Sequence, residues 1–242
     1  MKAVILNAGE GKRLRPLTTL KPKCLLRLNT ITILEHQLNN LIECGIEKVI
    51  IVVGYLANQI FEAMNNKNFP IEIEFIQNPI YFKTNTIYSL WLARKHIKDD
   101  FVYLNGDVVF DEKILERLLK SSYKACIAVD KRQVGREEVK VHLVSNLVKR
   151  IGKNIEASKA HGEFIGIAKF SKKFNQLLIN KLDEIIKEGM VNEFFEVAVD
   201  QILKDYHVYA IDVSDLLCIE VDTHEDFNIA KKIYLEIVKT GK

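Results

Sequence analysis

The sequence predicts an α/β fold: a Rossmann-like, mainly parallel mixed sheet flanked by helices, with a small β extension. Two observations predict it. β-Branched runs alternate with amphipathic stretches through the first half of the chain, the rhythm of βαβ units. Three polar clusters (the loop after the first strand, Asp107 and Asp222) fall where predicted strands end, and open α/β sheets place their ligands there.

The elements follow in order. Residues 3–6 form an apolar strand, and residues 7–29 a long loop rich in Gly, Arg, Lys, Thr and Pro. Thr32 and Glu35 make a capping box for a helix carrying Ile33, Leu34, Gln37, Leu38, Leu41 and Ile42 at helical spacing and stopping at Gly45. Residues 48–53 are a continuous buried strand, 58–64 a crossover helix, 72–76 a strand and 86–97 a helix. Residues 101–104 form a strand entering the turn Asn105-Gly106-Asp107, and Asp111 caps a helix reaching Lys120. The pattern then changes to strands over 139–144, 147–151 and 164–170, a mixed or antiparallel extension. Helices over 171–187 and 193–204, strands near Val208 and Ile219, and a last helix capped by Thr223 complete the chain.

A chain of 242 residues with 48% hydrophobic and 28% charged residues has the makeup of an ordinary globular protein. One domain over 1–242 is expected, with about 124–170 as an extension. A formal charge of +3 with scattered lysines disfavours nucleic acid as a partner. Apolar runs such as 49–53 are too short to cross a bilayer. No targeting segment is recognisable at the N-terminus, so a cytoplasmic location is expected. Cys24, Cys44, Cys126 and Cys218 lie far apart without zinc-ligand spacing, as reduced, buried thiols do. A homodimer is left open.

The stretch Asn7-Ala8-Gly9-Glu10-Gly11-Lys12-Arg13-Leu14 follows a strand directly. Two glycines one residue apart let backbone N–H groups approach an anion, so this loop can cradle a triphosphate. Arg13 offers a planar fork for phosphate oxygens, and Lys23, after Pro22, a second cation. Leu14 stands where the third glycine of a dinucleotide fingerprint would be, and no P-loop pattern exists.

The full loop, Gly9-x-Gly11-x-Arg13-Leu14-x-Pro16-Leu17-Thr18 and then Pro22-Lys23-x-Leu25-Leu26, resembles the signature of nucleotidyltransferases acting on sugar phosphates and related phosphoesters. The resemblance implies the nucleotide-diphospho-sugar transferase fold. It also implies that Leu6, Ala8, Gly9, Glu10, Gly11, Lys12 and Gly106 bind the nucleotide, that Arg13 grips the β- and γ-phosphates, and that Lys23 contacts the reacting phosphates. Asn7 departs from the small residue usual in the family.

A carboxylate just past a buried strand, as at Gly106-Asp107, suits a hard cation such as Mg2+. Residues 219–223 repeat the arrangement of strand end, acid and helix start. Each alone is equally well a turn or a solvated acid near a helix N-terminus. The resemblance implies that Asp107 and Asp222 bind the metal, and Glu220, of the same strand parity as Asp222, is a further ligand or a group behind it. Arg13, Lys23, Asp107 and Asp222 are then the catalytic set, and Asp107 and Lys23 are expected in a solvated cleft.

Thr84-Asn85-x-x-x-Ser89-Leu90 resembles the corresponding segment of phosphocholine and 2-aminoethylphosphonate cytidylyltransferases. It implies CTP as the nucleotide, with Thr84, Asn85 and Ser89 near base and ribose. Asn85 also reads as an ordinary N-cap. For a small phosphorylated acceptor, Lys140, Glu163, Tyr81 and Glu193 are the candidate contacts, with Phe164 as a further aromatic face. Neither His161 nor His142 is expected to act as a base. The nearest alternative is a sugar-1-phosphate nucleotidyltransferase using UTP or dTTP. A silent nucleotide sensor and a dinucleotide-dependent oxidoreductase are less favoured.

Overall fold

The computed structural model describes residues 1–132, 135 and 138–240. In chain order its elements are β1 (Lys2–Asn7), α1 (Ile33–Glu43), β2 (Lys48–Val53), α2 (Ala57–Asn65), β3 (Glu72–Gln77), α3 (Thr86–Ala93), β4 (Phe101–Asn105), β5 (Val108–Phe110) and α4 (Glu112–Lys120). They continue with β6 (Ala125–Asp130), β7 (Lys140–Val144), β8 (Leu147–Gly152), β9 (Gly162–Phe170), α5 (Lys172–Lys187), α6 (Glu196–Ile202), β10 (Tyr209–Asp212), β11 (Cys218–Glu220) and α7 (His224–Thr240).

Nine strands form one sheet in the order β3-β2-β1-β4-β9-β6-β10-β8-β7. The first four are mutually parallel, joined through α1, α2 and α3. Strand β9 enters antiparallel between β4 and β6. The hairpin β7–β8 also reaches β9, so β9, β6, β10, β8 and β7 close on themselves at one end of the sheet. This closed end is the extension expected over 124–170, with β10 added from later in the chain.

Local chemistry fixes the element ends. The Thr32–Glu35 capping box is formed, and Asp111 Oδ1 accepts from Lys113 N–H at 3.0 Å to start α4. β1 and β2 are buried along nearly their whole length, as central parallel strands must be. Two large apolar clusters occupy the two faces of the sheet. A third, small one joins Leu14, Leu26 and Leu28 of the long loop to Val109, Val221 and Phe227.

Several elements differ from expectation. The helix expected over 193–204 is formed only at Glu196–Ile202, and the one expected to reach residue 97 stops at Ala93, where Arg94 N–H closes back on Trp91 O at 3.2 Å. Strand β6 and the short strand β5 were not expected; β5 pairs antiparallel with β11 in a separate two-stranded ribbon.

Candidate active site

The strand ends of β1 and β4 and the β5–β11 ribbon surround a cleft of about 450 Å³. Its floor begins where β1 ends. Gly11 has φ of 60°, and a Cβ there would stand 3.2 Å from Thr18 and 3.3 Å from Lys23, so this position needs glycine twice over. Thr18 Oγ1 donates to Gly11 O at 2.8 Å and closes the loop.

Lys23 is the centre of the charge network. Its ammonium donates to Asp107 Oδ2 at 2.6 Å, Asp222 Oδ1 at 3.0 Å and Val221 O at 3.0 Å, which uses all three N–H bonds. Arg13 Nη2 lies 2.6 Å from Asp222 Oδ2. Burial alone would lower the Lys23 pKa, but Asp107 and Asp222 hold it well above the ordinary lysine value. Burial also resists ionisation of Asp222, yet Lys23 and Arg13 keep its carboxyl below the usual range. Glu220 is pushed up by burial and by the charges of Asp107 and Asp222, and its Oε1 accepts from Asn105 Nδ2 at 2.8 Å.

The turn bearing Asp107 is pinned from α1. Gln37 Nε2 donates to Asn105 O at 2.8 Å and Val108 O at 2.9 Å, bracketing Gly106 and Asp107. A Cβ on Gly106 would run into Asn7 Oδ1 and Leu6 O, so the turn packs against the end of β1.

Residues 2–137, more than half of the chain, match the family described as Nucleotidyl transferase. The chain belongs to that family. The transferase is 28% identical over 234 residues to the choline-phosphate cytidylyltransferase of Streptococcus pneumoniae, covering 96% of this chain and 98% of the relative. It is 26% identical over 253 residues to the CTP:phosphoglutamine cytidylyltransferase of Campylobacter jejuni, covering 95% and 98%. Its fold matches that of the inositol-1-phosphate CTP transferase from T. maritima with a TM-score of 0.81 at 21% identity, covering 98% and 95%. The expected nucleotide-diphospho-sugar transferase architecture is thereby the observed one.

In the transferase, Arg13, Lys23, Asp107, Asp222 and Glu220 all line the one cleft, together with Leu6, Gly9, Glu10, Gly11, Lys12, Tyr81, Thr84, Asn85 and Gly106. Other predicted residues lie elsewhere, or line the cleft with their polar atoms already engaged. Ala8 is buried and its carbonyl accepts from Tyr55 N–H at 3.0 Å. Ser89 is buried, its Oγ accepting from Asn78 Nδ2 at 3.2 Å; the same amide donates to Thr84 Oγ1 at 2.9 Å. Asn85 Oδ1 caps α3 by accepting from Thr86 N–H at 2.8 Å. Lys140 is buried at the start of β7 with Nζ 3.2 Å from Glu138 O. Glu163 lines an adjoining cavity with Asp130, Arg132 and Glu138, and burial, Glu138 and Asp130 push its carboxyl up to about 7. Glu193 is exposed and engages Ile87 N–H through its own carbonyl at 3.2 Å.

Asp107, Asp222 and Glu220 are not gathered into a three-carboxylate metal cage, and no group of three such ligands occurs among the described residues. Lys23 and Asp107 line the cleft with side chains 15% and 21% exposed, less solvated than anticipated. Lys153, Phe194 and Glu196 in the cleft wall carry no motif in the sequence, nor does Gln37, which is buried behind the turn. A polar Gln37 on an otherwise apolar helix face is the one signal that could have found any of them.

No helix of the described residues is long and apolar enough to cross a membrane. The four cysteines are free.

Proposed function

We propose that the transferase moves a cytidylyl group from CTP to a small phosphorylated or phosphonate metabolite, of phosphocholine-like or aminoethylphosphonate-like kind, with release of pyrophosphate. The observation that carries this reading is the convergence of Arg13, Lys23, Asp107 and Asp222 on one cleft beside the Gly9–Gly11 turn. The two relatives matched over nearly their whole length are both named cytidylyltransferases with different acceptors. They support the nucleotide more strongly than the acceptor.

The donor set fits magnesium. It is built of hard oxygens, and Asp107 Oδ1 is buried without a hydrogen-bond partner. Asp107 and Asp222 would hold the ion, with Glu220 behind them on Asn105. When bound, the ion supplies Lewis-acid polarisation of the triphosphate oxygens.

The residues of the chain do the rest. Backbone groups of the Gly9–Gly11 turn receive the triphosphate, Arg13 moves from Asp222 to the β- and γ-phosphates, and Thr84 and Asn85 face the nucleoside. An acceptor oxygen attacks the α-phosphorus in line, the new O–P bond forms as the bond to the β-phosphate bridge breaks, and pyrophosphate leaves with the electron pair. A phosphomonoester is mostly a dianion at neutral pH, with a second pKa of about 6, so no protein base is needed. Lys23 neutralises charge at the reacting phosphates.

Residues 1–242 act as one catalytic unit, in which about 124–170 form the acceptor side. A cytoplasmic setting belongs to this reading. Pyrophosphate release, measured with CTP, UTP, dTTP and ATP against phosphocholine, 2-aminoethylphosphonate and glucose 1-phosphate, tests the reading. CTP with one of the first two acceptors is expected; a preference for UTP or dTTP with the sugar phosphate would replace it by the sugar-nucleotide reaction.

A further inference from the structure

The floor of the cleft carries an amide that the reaction scheme leaves unused. Asn7, the last residue of β1, lines the cleft and is 8% exposed, and its Nδ2 is buried with no hydrogen-bond partner among the described residues. Its side chain lies against the turn that bears Asp107, since a Cβ on Gly106 would collide with Asn7 Oδ1. The family usually has a small residue at this position, so the sheet does not need an amide here. A buried N–H without an acceptor is costly, and groups that accept this cost call for a ligand.

Alternation along β1 decides which part of the nucleotide Asn7 meets. Leu6 belongs to the apolar cluster that holds Ile87 and Leu90 of α3, the helix that follows Thr84 and Asn85. Ile5 belongs to the opposite cluster, with Cys24 and Leu25 of the Lys23 loop and Val108 of β5. Asn7, two residues on from Ile5, shares its face and is turned away from the nucleoside side. The ion pairs then give an order: Lys23 joins Asp107 to Asp222, and Arg13 holds Asp222 from beyond. Asn7, beside Asp107, stands at the end of this chain opposite Arg13, and so away from the β- and γ-phosphates that Arg13 receives.

We propose that Asn7 Nδ2 donates to a non-bridging oxygen of the α-phosphate, as a neutral contact beside Lys23. This rests on the transferase reading for its ligand, but the binding it requires is measurable without turnover.

The test is calorimetric titration of the wild type, Asn7→Ala and Asn7→Leu with CTP, CMP and cytidine in magnesium buffer, alongside pyrophosphate release with CTP. Both variants are expected to bind CTP and CMP at least tenfold more weakly, the scale of a hydrogen bond to a charged group, and to bind cytidine as the wild type does. Asn7→Leu keeps the shape of the side chain, so an equal loss in the two variants separates the missing donor from a void. Unchanged affinity in Asn7→Ala, a loss confined to CTP, a loss shared equally by cytidine, or binding of none of the three would overturn the contact. CMP binding that depends on Asn7 without cytidylyl transfer to any acceptor would instead overturn the transfer and leave the contact standing.

Discussion

The backbone N–H of Val221 donates to the backbone carbonyl of Asp107 at 3.0 Å. This bond continues the β5–β11 ribbon, in which Val108 faces Glu220. It brings two carboxylates from distant parts of the chain within reach of a single ammonium, that of Lys23.

Lys23→Ala removes the cation shared by Asp107 and Asp222 and leaves Glu220 beside two carboxylates of which only Asp222 keeps a cation, Arg13. The loss of stability in metal-free buffer should be about 3 kcal/mol, the scale of breaking a partly buried ion pair. Magnesium should recover much of it, by replacing the missing positive charge. Asp107→Asn keeps an acceptor for Lys23 and should cost less than about 2 kcal/mol while reducing turnover at least about 100-fold. Urea unfolding with and without magnesium, beside steady-state kinetics, checks both. A Lys23→Ala protein as stable as wild type without metal would contradict the network.

Gln37→Leu keeps the shape of the side chain but strands the carbonyls of Asn105 and Val108. A cost of about 1–3 kcal/mol is expected. Because those two bonds bracket Asp107, kcat should fall more than the KM for the nucleotide. Kinetics and denaturant midpoints of this one variant decide whether Gln37 positions the turn or merely packs under it.

Two glycines should respond oppositely to alanine. At Gly106 a Cβ meets Asn7 Oδ1 and Leu6 O, so Gly106→Ala must displace the turn and lower the melting temperature. At Gly9 nothing lies within 4 Å of the added atom. Gly9→Ala should therefore melt like wild type and raise the KM for CTP only. Thermal melts and saturation curves for the pair provide the comparison.

Two buried groups give the pH dependence of stability opposite slopes. Burial lowers His36 from its ordinary value to about 4, so its contribution is complete above about 6.5 and is lost as pH falls toward 4, when the unfolded chain gains a proton that the native state resists. Burial raises Glu196 from 4.5 to about 7, so its contribution is present below 4.5 and is lost as pH rises through 7. Each is worth up to about 3 kcal/mol at 1.36 kcal/mol per pH unit. Glu196→Gln should accordingly be more stable than wild type at pH 8 and no different at pH 4.5. Urea denaturation across this range would show the crossover, and its absence would mean that Glu196 already has a partner in solution.

The capping box of α1, the run of β2, the glycine loop and the two Asp-bearing strand ends are all local patterns, and local patterns are legible in the amino-acid sequence. Spacing of apolar residues and the chemistry of caps are set by neighbours in the chain. The loop between Gly9 and Leu26 is equally legible, because its run of glycines, Arg13 and Pro22-Lys23 is specific in itself.

Pairings between distant segments are not legible in that way. β5 is three residues long and has no period to detect, yet its union with β11 determines that Asp107 and Asp222 share Lys23. In the sequence Glu196 is one acid among many on a helix, and Glu193, Lys140 and Glu163 are equally good acceptor contacts. Which of them faces the cleft depends on where α6 and the β7–β9 strands close, and that is fixed by packing across the sheet. The sequence by itself determined the chemical groups and the strand ends that carry them. The tertiary structure alone decided which of those groups meet, since contact between remote residues is a property of the assembled sheet and of no shorter stretch of chain.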